Sequence, residues 1–135
     1  MIATSGRNIP YISMPYAGSV HDFSMMKQEF DPMENWFENM NANVDLGFLG
    51  IESVYDFNSI KIPHKKPKNG SLTDEQKAEN KMVGSERIFV EHSIGGLKRF
   101  RALADRLRTH SVKLYSKILG ICAGIWNFSL ANPLI

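Results

Sequence analysis

One helical stretch constrains this chain more than any other. From about Ser85 to Arg108 the sequence reads as a long helix, with a break at Gly84-Ser85 as the weak point. At 100° per residue, Arg87 and Glu91 lie about 40° apart around the axis, and Glu91 and Lys98 about 20° apart the other way. Arg87, Glu91, Gly95 and Lys98 therefore share one stripe. A carboxylate with a cation one turn before it and another two turns after it suits a divalent metal, with the cations gripping phosphate oxygens on either side. Gly95 leaves the stripe uncrowded, so that a phosphodiester backbone can come close. The same stripe also describes a solvated helix face with i,i+4 ion pairs. Ile88, Phe89, Val90, Ile94 and Leu97 wrap the rest of the helix, which predicts a core helix presenting an active face.

Upstream, the expected elements are short. Ile9 to Met14 reads as a strand after the turn-like Ser5-Gly6-Arg7-Asn8, with Ile2-Ala3-Thr4 as the tail of a preceding strand. Ser19 or Asp22 is positioned to cap a helix over His21 to Phe30, and a second helical stretch is expected from Met33 to Met40. Asn43 to Gly50 reads as a strand running into a glycine-bracketed turn, Leu49 to Tyr55 as a helical turn, and Ile60 to Pro63 as a second strand. Asp45 stands at the end of the first of these strands, a position for a metal ligand or for an ordinary turn residue. The basic segment His64 to Gly70 is an exposed loop, and Thr73 with Gln76 forms a capping box for the next helix. Val112 to Leu130 is mostly apolar and is expected to be a buried helix that ends before Asn132-Pro133. The methionines at 25, 26, 33 and 40 are expected in the core, Cys122 as a small buried residue, and His92 on a helix surface.

Composition removes several classes. The chain has 135 residues, 43% hydrophobic and 22% charged, ordinary values for one small globular domain. A lone cysteine excludes an internal disulfide framework and fits a reducing cytosol. The first seven residues carry no apolar stretch of the secretory type. No membrane partner is expected, because the best candidate span, Ile118 to Ile135, carries Asn127, Asn132 and Pro133. The net charge of +2 hides an asymmetry. Residues 1–60 hold two basic and eight acidic residues, a net of −6, whereas residues 61–117 hold fourteen basic and six acidic, a net of +8. A basic second half on a nearly neutral chain points to a polyanionic partner, most simply nucleic acid.

The residues resemble a family. Gly18-Ser19-Val20-His21-Asp22, Asp45-Leu46-Gly47-Phe48-Leu49-Gly50, Lys61-Ile62-Pro63-His64-Lys65-Lys66-Pro67, Leu72-Thr73 with Gln76 and Asn80-Lys81, and Arg87 through Lys98 follow one another as in the C-terminal half of insertion-sequence transposases, DDE-superfamily endonucleases. The closing segment with Cys122, Ala123 and Asn127 is similar to the family's last helix. The resemblance implies a mixed α/β fold of the ribonuclease-H-like type, here incomplete and lacking the first strands, with flanking helices over residues 1–135. It also implies Mg²⁺ or Mn²⁺ held by two aspartates and a glutamate, and metal-dependent DNA cleavage followed by strand transfer. Carried over by position, Asp45 is the second aspartate and Glu91 the glutamate, both metal ligands, and Arg87 and Lys98 match the R-x3-E-x6-K pattern. The tyrosine that some members carry before this arginine is Gly84 here. Lys65, Lys66, Arg99 and Arg101, with Lys68, Arg106 and Arg108, are expected along the path of the DNA.

The first catalytic aspartate has no counterpart among the matching residues, and Asp22 reads as a helix cap rather than a substitute. The chain is therefore expected not to be self-sufficient: either the downstream product of a two-frame element or a remnant of a broken gene, with an upstream transposase part or further copies of itself as partner in a bacterial cytosol. Two other readings stay open: a non-catalytic DNA-binding or oligomerisation module, and a small basic protein without a nucleic-acid role.

Overall fold

The computed structural model describes residues 1–104 and 111–133. The chain divides into two compact units, one comprising Tyr16–Arg87 and the other Met1–Pro15 with Ile88–Ile135. The secondary structure is mixed.

The Tyr16–Arg87 unit opens with α1 (Asp22–Glu29). Neither expected cap forms: His21 is the N-cap without a side-chain hydrogen bond, and Asp22 stands in the first helical turn, where a carboxylate complements the helix dipole. Asp22 also faces Gly47, with its Oδ2 3.3 Å from where a Cβ would stand. The expected helix over Met33 to Met40 is absent. Asp31 Oδ1 instead accepts the Met33 N–H at 2.9 Å and the Asp31 carbonyl accepts Trp36 Nε1 at 2.9 Å. A short acidic side chain thus offers the backbone a turn in place of a helix. Met33 and Met40 are accordingly exposed, at 89% and 50%, and not in the core.

The core of this unit is aromatic. Phe37 stacks on Phe57 at 5.2 Å and meets Phe30 and Tyr55 edge-on at 5.1 and 5.4 Å. The Tyr55 hydroxyl donates to the Phe30 carbonyl at 2.6 Å, and burial, with the charge of Asp31 second, pushes its pKa up. Ile51 beside them is fully buried. Strands β1 (Asn41–Asn43) and β2 (Ser59–Lys61) pair in parallel, with Ala42 opposite Ile60. Between them lie two single 3₁₀ turns, Leu46–Phe48 and Ile51–Ser53. Gly50 joins these turns at φ 86°, a left-handed conformation that favours glycine.

Helix α2 (Asp74–Glu86) starts at the expected capping box, with both the Thr73 and the Gln76 side-chain bonds formed. It runs through Gly84-Ser85 without the expected break and ends at Arg87, its C-cap. The Arg87 N–H is shared between the Val83 and Gly84 carbonyls at 3.3 and 3.2 Å, the tightening usual at a helix end.

In the other unit, α3 (Ile88–Lys98) is followed by α4 (Arg101–Ala104) and α5 (Val112–Ala131). The long helix expected over 85–108 is thus interrupted twice, at Arg87 and again at Arg99-Phe100, while its last residues lie outside those described. Ile9, Leu97, Cys122, Ala123 and Trp126 form the core. The buried side of α3 is Ser93, Gly96 and Leu97; Ile88, Phe89 and Ile94 are partly exposed, so the apolar wrap does not make this a core helix. A Cβ at Gly96 would stand 2.5 Å from Trp126 Cε3, so only glycine lets α5 approach α3 this closely. Helix α5 differs from expectation as well. Val112, Leu114, Ile121, Ile125 and Phe128 are exposed. By length and composition alone it could cross a membrane, and 17% of its apolar window is buried.

Ile9 to Met14 is not a regular strand. Ile2 and Tyr11 form an antiparallel bridge across the turn. Asn127 on α5 stands where a second strand would. Its Oδ1 accepts the Ile9 N–H at 2.8 Å and its Nδ2 donates to the Ile9 carbonyl at 2.9 Å.

Candidate functional site

Asp45 is held by its own backbone. It lies just beyond the end of β1 and caps the following 3₁₀ turn, Oδ1 accepting the Leu46 N–H at 2.7 Å. Oδ2 accepts a hydrogen bond from Arg87 Nη2 at 3.1 Å. The sequence placed Arg87 on a helical stripe with Glu91; the structure ends α2 at Arg87 and gives its guanidinium to Asp45 instead. Each carboxylate oxygen keeps a lone pair, so the hard-donor chemistry of Asp45 suits Mg²⁺.

Around Asp45 the two strands are tied to α2. Lys61 on β2 pairs with Glu86 at 2.6 Å. Asn43 on β1 donates to the Val83 carbonyl and to Glu86 Oε2, both at 3.3 Å, while its own Oδ1 is buried and unpartnered. Asn80 on α2 grips the loop that follows β2, Oδ1 accepting the His64 N–H at 2.7 Å and Nδ2 donating to the His64 carbonyl at 3.0 Å. Glu79 faces the His64 ring. Anchored at His64, the loop presents Lys65, Lys66 and Lys68 to solvent. Glu86 and the bracketing role of Asn80 escaped the sequence reading, because only the fold brings them to the strands.

Glu91 stands on α3 in the other unit and lines a cavity of about 330 Å³. Arg7, His92, Gly95, Gly96, Arg99 and Trp126 complete its lining. Glu91, Gly95 and Lys98 keep their common helical face, and nothing lies within 4 Å of a Cβ at Gly95. Lys98 and Arg101 are exposed. Arg106 and Arg108 lie outside the described residues. Arg7, some eighty residues upstream, had no signal in the sequence beyond its turn. Among the described residues no group of three His, Cys, Asp or Glu side chains is placed to hold a metal ion.

A mixed α/β chain thus presents one carboxylate at a strand end and another on a helix beside basic side chains. The family model for DDE superfamily endonucleases matches residues 1–127, and the chain belongs to that family, a class of nucleases that act on DNA with divalent metals. No curated protein and no solved structure matches the chain.

Proposed function

We propose that this chain is the catalytic part of a transposase in which Asp45 and Glu91 each serve as a ligand for divalent metal, Mg²⁺ or Mn²⁺, in cleavage and transfer of DNA strands. The carrying observation is the family match over 1–127 together with Asp45 at the end of β1 and Glu91 beside a cationic cavity. When bound, the metal neutralises charge that develops on phosphate oxygens during phosphoryl transfer. The residues of this chain do the rest. Arg87 orients the Asp45 carboxylate, and Lys65, Lys66, Lys98, Arg99 and Arg101 hold the DNA through phosphate contacts that carry little sequence information. The family uses a third carboxylate, and Asp45 and Glu91 supply two; we read the third as coming from an additional transposase part or another copy.

Iron-directed cleavage tests this. Fe²⁺ with ascorbate and peroxide should cut the full chain near both position 45 and position 91. Excess Mg²⁺ should suppress both cuts, and Asp45→Asn or Glu91→Gln should each suppress the cut at its own position. No cut near one of the acids would remove it as a metal ligand.

A second reading is a DNA-binding module without catalysis. The pairing of Asp45 with Arg87 and the lack of a three-ligand cluster among the described residues favour it. Salt-sensitive DNA binding indifferent to both acid substitutions, and no iron-directed cut, would establish it.

A further inference from the structure

Arg7 holds φ 67°, a left-handed conformation shared by no other described non-glycine residue. Such a conformation is unfavourable outside glycine and persists where the surroundings over-determine it. Here two helices do so. Trp126 Nε1 on α5 donates to the Arg7 carbonyl at 2.9 Å, and Ser93 Oγ on α3 lies 2.9 Å from the same oxygen. Ser93 is fully buried and Trp126 nearly so. The turn is therefore fixed from beneath, and Arg7 lines the same cavity as Glu91.

Arg99 lines the same cavity. Among the described residues neither Arg7 nor Arg99 has an ion-pair partner. Two guanidinium groups at one small cavity repel each other until an anion comes between them. Against the single negative charge of Glu91 the two guanidinium groups leave an excess of one positive charge, which matches the single charge of a phosphodiester. Gly95 leaves the cavity wall free of a side chain.

We propose that Arg7 and Arg99 form a two-guanidinium seat for one phosphodiester group of bound DNA, beside Glu91. Planar guanidinium forks suit phosphate oxygens. The seat rests on the metal reading of Glu91 for its metal dependence alone: a bare carboxylate repels the phosphate, and a divalent cation on it reverses the sign.

The test is fluorescence anisotropy of a labelled duplex with the full chain in Mg²⁺. Arg7→Asn and Arg7→Gly both accept a left-handed backbone, so they remove the side chain without adding strain. Both should fold at least as stably as the parent by circular dichroism, yet bind DNA about five- to ten-fold more weakly. Each should also lower the slope of log affinity against log salt by about 0.9, the loss of one phosphate contact. Arg99→Gln should act alike, and the double variant should lose less than the product of the two. Native-like Arg7 variants with the parent's affinity and slope would overturn the seat. Inorganic phosphate or a nucleoside monophosphate that displaces the duplex at low millimolar levels would assign it to free phosphate and overturn the polynucleotide. If Glu91→Gln leaves the Mg²⁺ dependence intact while the Arg7 variants weaken binding, the metal reading fails and the seat stands. If Glu91→Gln removes that dependence while the Arg7 variants bind normally, the seat alone fails.

Discussion

Arg87 and Asp45, forty-two positions apart in sequence, form a charge-assisted hydrogen bond at 3.1 Å between the end of α2 and the end of β1. Their side chains are 31% and 55% exposed, so water screens the pair and its net worth is about 0–1 kcal/mol. Asparagine keeps the acceptor that caps the Leu46 turn. Asp45→Asn is therefore expected to cost at most about 1 kcal/mol in chemical denaturation while abolishing iron-directed cleavage at position 45. A loss of several kcal/mol would make Asp45 a structural residue.

Two neighbouring glycines should respond in opposite directions. Gly95→Ala meets open space and gains helix propensity, so stability should rise by about 0.8–1 kcal/mol. Gly96→Ala drives a methyl into the Trp126 ring, whose indole N–H is anchored on Arg7, and should lose about 1–3 kcal/mol net. Thermal midpoints of the two variants, measured side by side, decide it. Equal shifts would refute the close approach of α3 and α5.

Asn127 and Asn80 do the same work in different units. Each brackets one residue's backbone N–H and carbonyl, Ile9 in one case and His64 in the other. Ile9 is buried and His64 exposed, so water can replace the second bracket and not the first. Asn127→Leu should cost about 1–3 kcal/mol and Asn80→Leu distinctly less, read by urea midpoints. A reversed order would show that the Asn127 bracket is not what secures the N-terminal segment.

Tyr16 supplies a pH signature. Its hydroxyl donates to Glu29 Oε1 at 2.7 Å, and that bond, with burial and the Glu29 charge behind it, raises its pKa above the ordinary 10.0. The bond requires the protonated phenol. Its contribution is complete below the unfolded value and is lost as pH climbs through the raised folded one. In a tyrosinate absorbance titration two of the four tyrosines, Tyr16 and Tyr55, should ionise late, and Glu29→Gln should bring one of them back toward 10.0. No movement in that variant would remove the bond as the cause.

Legibility followed the range of the interaction. The Thr73–Gln76 capping box, the exposed 64–70 loop and the turn at Asp45 were all readable, since a few consecutive residues settle each, and the burial of Cys122 followed the general preference of a free cysteine for the interior. The expected helix over 33–40 failed because Asp31 competes for the backbone it precedes. The stripe through Arg87 failed for a different reason. Periodicity describes residues inside one helix, and it has no means of marking a junction where two carbonyls share a single N–H.

The order of the motifs by itself was enough to establish the family, since each motif is a local pattern and their succession is written in the chain. Only the tertiary structure decided the partners. It joined Arg87 to Asp45, Glu86 to Lys61 and the Arg7 carbonyl to Trp126, and it turned two motif asparagines into backbone brackets. Such contacts form between segments whose separation in sequence carries no information about their separation in space, and packing settles them last.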